Sequence, residues 1–146
     1  MPNWCENTLI IRADKKEDLK ELKSLLNDTL EYDDYGRPYG LLGAIISIPK
    51  ELEGTTAPKD KPNWYDWCCS NWGTKWDVDC ESHIIEDDYM EFSFNSAWAP
   101  PVAWLEKVAS LFPDLHFSLK YDEPGVGFMG CAKGSNGEVV DSCIEY

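Results

Sequence analysis

Alternating apolar and polar residues near the start of the chain place Cys5, Leu9 and Ile11 on one side of a strand and Glu6, Thr8 and Arg12 on the other. Asn7 falls on the apolar side, where its amide needs hydrogen bonds because an unpaired buried amide is costly. The period then changes. Asp14 and Glu17 have the spacing of a capping box, and Leu19, Leu22, Leu25 and Leu26 fall on one helical face up to Asn27. DDYGRPYG, the apolar run LLGAIISI ending before Pro49, and EGTTAPKDKP follow, so residues 31–62 read as irregular chain inserted between regular elements.

Asp60 is placed to cap a second, inserted helix with Pro62 in its first turn. Trp64, Trp67, Cys68 and Trp72 share one face of that helix, Asn63, Asp66 and Ser70 lie opposite, and Gly73 is its stop. With this helix the insertion extends over about 31–75. Val78, Cys80 and Ile84 then alternate with Asp79, Glu81 and His83, the turn EDD follows, and YMEFSFNSA buries Met90, Phe92 and Phe94. Pro100-Pro101 opens a helix lined by Val102, Leu105, Val108, Ala109 and Phe112 and closed by Pro113. HFSLKY buries Phe117, Leu119 and Tyr121, and a terminal hairpin over about 126–146 turns at Asn136-Gly137, setting Cys131 opposite Ser142.

The order of elements is a β-α-β-β-α-β plan in one α+β domain spanning 1–146, with two helices on one face of an antiparallel sheet and the other face open. Asp79, Glu81, His83 and Glu91 are expected together on that open face, since residues 77–91 hold seven acids and no Lys or Arg.

Charge sharpens this picture. The 146 residues carry 27 acids against 13 Lys and Arg, net −14, a field that repels phosphate backbones and makes nucleic acid an unlikely partner. Two uses fit the acidity: solubility, or attraction of a basic partner such as a host nucleic-acid-binding protein. The N-terminal MPNWCENTL lacks a signal-peptide pattern, and the longest apolar run falls well short of the ~20 residues that span a bilayer, so a soluble, cytoplasmic protein is expected. Six cysteines without a C-x-x-C pair read as reduced, small apolar residues.

MPNWCENTL, NWGTKWD, FSFNSAWAPP, FPDL and YDEPGVGFMG, in that order between Met1 and Gly130, resemble the YubB-like proteins of phages and plasmids. The resemblance implies a ferredoxin-like domain, residence on a mobile element, a bacterial cytoplasm and no established biochemical activity. It hands over no catalytic residue. Where the family pattern has TAWSPP this chain has SAWAPP, so Ala99 lacks a hydroxyl that could cap a helix or touch a substrate.

Candidate chemistry is sparse. In NWGTKWD, with Trp72, Thr74, Lys75, Trp76 and Asp77, the lysine and aspartate could hold a phosphate or carboxylate beside an aromatic rim; equally, the tryptophans are core and Lys75 pairs with Asp77 at the surface. Trp98 at a strand-to-helix corner and Tyr121 and Glu123 in YDEPG invite the same two readings, binding or local packing and capping. Cys68, Cys69, Cys80 and His83 could supply four zinc ligands, but their spacing lacks the paired knuckle, and two histidines are too few for a His-rich catalytic metal site. No nucleophile signature and no phosphate loop is present, so no catalytic residue, metal or cofactor is expected. The favoured expectation is a non-enzymatic module that binds a basic bacterial protein. The alternative is a small-ligand-binding domain or enzyme acting on a phosphate- or carboxylate-bearing substrate near Lys75 and Asp77.

Overall fold

A computed structural model describes residues 2–146. The elements are β1 (Trp4–Ala13), α1 (Lys16–Thr29), β2 (Glu31–Tyr32), β3 (Pro38–Tyr39), α2 (Leu41–Ile45), α3 (Trp64–Asn71), β4 (Cys80–Ile85), β5 (Tyr89–Ala97), α4 (Val102–Leu111), β6 (Leu115–Glu123), β7 (Phe128–Ser135) and β8 (Glu138–Glu145). Six strands form one antiparallel sheet in the order β4-β5-β1-β6-β7-β8, and β2-β3 is a separate small ribbon. β1, α1, β4, β5, α4 and β6 make up the ferredoxin-like β-α-β-β-α-β unit, and the β7–β8 hairpin extends the sheet beyond β6.

The alternation read in the strands explains the layers. Leu9, Ile11, Met90, Phe92, Phe94 and Leu119 are almost wholly buried, facing Leu19 and Leu22 of α1 and Leu105 and Val108 of α4. Burial of each such side chain contributes about 1.5–3 kcal/mol, so this one-sided layer is the main stabilising element. Asn7 lies within it, its Nδ2 donating to Cys5 O at 3.0 Å and Ser96 Oγ at 2.9 Å.

Four details depart from the sequence reading. Asp14 does not cap α1: its carboxylate lies 3.1 Å from His116 Nε2, and Lys15 is the cap residue, without a side-chain bond. Asp60 does not cap α3 either, because it accepts from the Thr56 amide. Asn63, fully buried rather than facing outward, takes the Asp66 N–H at 2.9 Å. The run from Leu41 is helical, and Leu41 and Leu42 join the core. Finally, a bulge between Cys80 and Ser82 shifts the phase of β4, so His83 pairs with buried Phe92 and Ile84 pairs with outward-facing Glu91.

The insertion builds into the helical layer. Trp72 Nε1 donates to Ile46 O at 2.8 Å, Trp104 Nε1 donates to Leu42 O at 2.9 Å, and the Trp104 amide donates to Trp72 O. Gly73, at φ 85°, ends α3 in the left-handed region that other residues enter at a cost. Among the described residues no helix is long and apolar enough to cross a membrane.

The candidate site on the open sheet face

Cross-strand register arranges the outward residues of the open face in rows. In strand order, one row is Asn95, Glu6, Asp122, Met129 and Ile144, joined on the β4 side by Glu81, whose Oε1 accepts from Asn95 Nδ2 at 3.0 Å. The next row is Ser93, Thr8, Lys120, Cys131 and Ser142. Glu91, Ile10, Ser118, Lys133 and Val140 follow, and then Tyr89, Arg12 and His116. The first two rows form the floor of a trough of about 690 Å³, and every residue lining it comes from the six strands. The tryptophan-rich insertion therefore leaves this face free.

Glu6 and Asp122 are direct cross-strand partners. Like charges so placed cost stability. Their field is felt locally. A hydrogen bond to Asp122, with burial and the charges of Asp122, Glu123 and Glu6 adding to it, pushes the Tyr146 phenol up to about 12. One row beyond, Trp4 emerges on the same side and stacks with Trp76 at 6.3 Å between ring centroids, and both indoles are exposed.

The residues singled out from sequence divide between scaffold and surface. Trp72 is 1% exposed and engaged through its indole N–H, and Thr74, also buried, donates from Oγ1 to Ala97 O at 2.8 Å. Lys75 does not pair with Asp77; its Nζ sits 4.1 Å from the centroid of the Trp76 ring, a cation–π contact. Asp77 is turned away from it, with Oδ1 accepting from Leu42 N and Val78 N at 2.8 Å and Oδ2 from Gly43 N at 2.9 Å. Loss of solvent around that carboxyl raises its pKa against the opposing pull of these three amides. Glu123 is fully buried and holds the β6–β7 turn through the Gly125 and Val126 amides. Tyr121 is buried with its hydroxyl donating to Asp141 at 2.6 Å, and burial followed by that bond raises its pKa. Trp98 is exposed at φ 69°, its N–H held by Asn3 O.

Of the four residues expected on the open face, Glu81 and Glu91 stand there. His83 does not: the bulge turns it to the helix side, where its ring meets Tyr32 at 5.7 Å. Asp79 lies before β4, bridged to Tyr39. Glu6 and Asp122, which face the trough, escaped the sequence reading because they are distant in the chain; pairing β1 with β6 in register would have revealed them. Among the described residues no group of three or more His, Cys, Asp or Glu is placed to hold a metal ion, and Cys68, Cys80 and His83 are not gathered.

Comparisons with known proteins agree with the fold. The family model described as the ferredoxin-like domain in Api92-like protein matches residues 71–146. The crystal structure of the protein api92 from Yersinia pseudotuberculosis aligns with a TM-score of 0.61 at 12% identity, over 100% of this chain and 98% of that one. No match was found among curated proteins.

Proposed function

Because the chain belongs to the family defined by the ferredoxin-like domain of Api92-like protein, we propose that it is a binding module whose open sheet face engages a basic protein of a bacterial host. The observation that carries this reading is the opposition of Glu6 and Asp122, with Glu81 nearby, on a face the helices and insertion leave uncovered. A lysine or arginine of a partner seated between the two carboxylates relieves their repulsion, so the cost in the free protein becomes a gain on binding. Met129 and Ile144 supply an apolar floor beside the acids, and the exposed Trp4–Trp76 pair supplies aromatic surface of the type that anchors protein interfaces. The net charge of −14 steers a cationic partner toward the molecule and disfavours nucleic acid itself. Phage or plasmid origin and a site of action in the host cytoplasm belong to this reading through the sequence motifs.

The test pairs capture with stability. A Glu6→Gln, Glu81→Gln variant is expected to lose salt-sensitive binding of a lysine-rich peptide while melting at or slightly above the temperature of the parent, because Glu6 no longer confronts Asp122. A control pair in the insertion, Glu51→Gln and Glu53→Gln, should bind as the parent does. Equal weakening by both pairs would reduce the acidity to a matter of solubility and end the proposal.

A further inference from the structure

The opposite end of the same face has the reverse character. Here a cleft of about 360 Å³ is lined by Arg12, His116, Ser118, Lys120 and Lys133, with Ile10 and Tyr89 as its apolar side. Register explains the convergence. Ser118 has Ile10 and Lys133 as its cross-strand partners, while His116 and Lys120 precede and follow it on the same side of β6 and Arg12 lies diagonally across β1. Neighbouring strands are ~4.8 Å apart and alternate residues ~6.8 Å apart, so three long cationic side chains rooted around Ser118 can reach one small ligand above it.

Among the described residues none of these three cations enters a salt bridge, and no carboxylate lines the cleft. Acids bordering the cleft are otherwise engaged: Glu91 accepts from Tyr89 OH at 2.9 Å, Asp14 lies 3.1 Å from His116 Nε2, and Asp122, one row from Lys120, accepts from Tyr146 OH. His116 Nδ1 lies 2.9 Å from Ser135 Oγ, which fixes the ring at the rim. A chain with twice as many acids as bases has thus kept a patch of unpaired cations around a hydroxyl.

We propose that this cleft binds a small phosphate-bearing ligand, with Arg12, Lys120 and Lys133 closing on the phosphate, the Ser118 hydroxyl donating to it, and Ile10 and Tyr89 covering the organic part. Arginine and lysine with a hydroxyl donor suit a phosphate dianion. The volume admits a nucleoside monophosphate or something smaller. The repulsive field of the rest of the chain opposes a polyanion, so the ligand is a small molecule rather than a nucleic acid. Lys120 borders the trough as well, but no carboxylate of that row lines this cleft, and the proposal does not depend on the reading given to the row.

Titration of the full chain with inorganic phosphate and with AMP, followed by amide NMR shifts and calorimetry, tests the assignment. Saturable binding of at least one probe is expected, with shifts centred on Ile10, Ser118 and Lys133. Arg12→Ala, Lys133→Ala should weaken it by about tenfold or more, and the single change Lys120→Ala should weaken it in the same direction. Glu51→Gln, in the insertion, should leave it intact. No saturable binding of either probe, shifts centred instead on Lys16, Lys20 and Lys23 of α1, undiminished binding by the cationic variants, or tighter binding of a short single-stranded DNA than of AMP would each overturn the proposal.

Discussion

Replacing Trp72 with phenylalanine tests how the insertion is tied to the sheet domain. In the native structure the ring is 1% exposed, meets Trp67 edge-on at 5.6 Å and 79°, and donates its indole N–H to Ile46 O at 2.8 Å. Phenylalanine keeps an aromatic ring but removes the donor, leaving the part-buried Ile46 carbonyl without this partner at a cost of about 1–3 kcal/mol. The smaller ring also leaves a void that adds ~1 kcal/mol. A total of about 2–4 kcal/mol in a chain of 146 residues corresponds to a fall in melting temperature of roughly 5–15 °C. Circular dichroism during heating, with urea titration to establish that the slope is unchanged, measures this directly. Trp98→Phe is the matched control: that indole is 46% exposed, and its loss should shift stability by about 0.5 kcal/mol or less. A Trp72→Phe protein melting within a degree of the parent, or a Trp98→Phe protein equally weakened, would refute the view that the first indole anchors the insertion and the second serves the surface.

Two further outcomes follow from the geometry. A Cβ added at Gly130 meets the Ser142 carbonyl oxygen and the Tyr121 hydroxyl, so Gly130→Ala should destabilise the protein by about 1–3 kcal/mol and raise hydrogen exchange in β7 and β8 before the other strands. Burial pushes the thiols of Cys5, Cys68 and Cys80 from 9.0 to about 12. Because the folded values lie above the unfolded one, their contribution to stability is complete below pH 9 and fades as the pH rises from 9 toward 12. Melting temperature should therefore fall across that interval, while at neutral pH a thiol reagent modifies exposed Cys69 and Cys143 first and reaches the buried three only on unfolding. Rapid labelling of Cys68 in the folded protein would contradict this.

The strands and long helices were legible because each carries its own period. Alternation places Leu9, Ile11, Phe92 and Leu119 correctly, and Asn136-Gly137 forms the expected turn with φ of 56° and 81°. What escaped depended on partners far along the chain. Asp14 has the spacing of a cap, but His116, 102 positions away, claims its carboxylate. Trp104 lies off the apolar stripe read for α4 and is nevertheless fully buried, because the insertion offers Leu42 O to its indole. One extra residue in β4 reversed the faces of His83 and Ile84, a change that side-chain alternation cannot announce in advance. The cationic cleft was hidden for a similar reason, since Arg12, Lys120 and Lys133 stand singly on three strands and form a group only when the sheet is assembled. The acidic segment 77–91 was conspicuous as text, yet the carboxylates that confront each other come from β1 and β6.

The two sides of the central strands carry unequal thermodynamic duties. Their large side chains point toward α1 and α4, so exchanges on the reverse side leave the folding free energy nearly untouched. Outward positions on this scaffold can therefore change without unfolding it. The sheet thus divides into a fixed chassis behind and a freely variable faceplate in front.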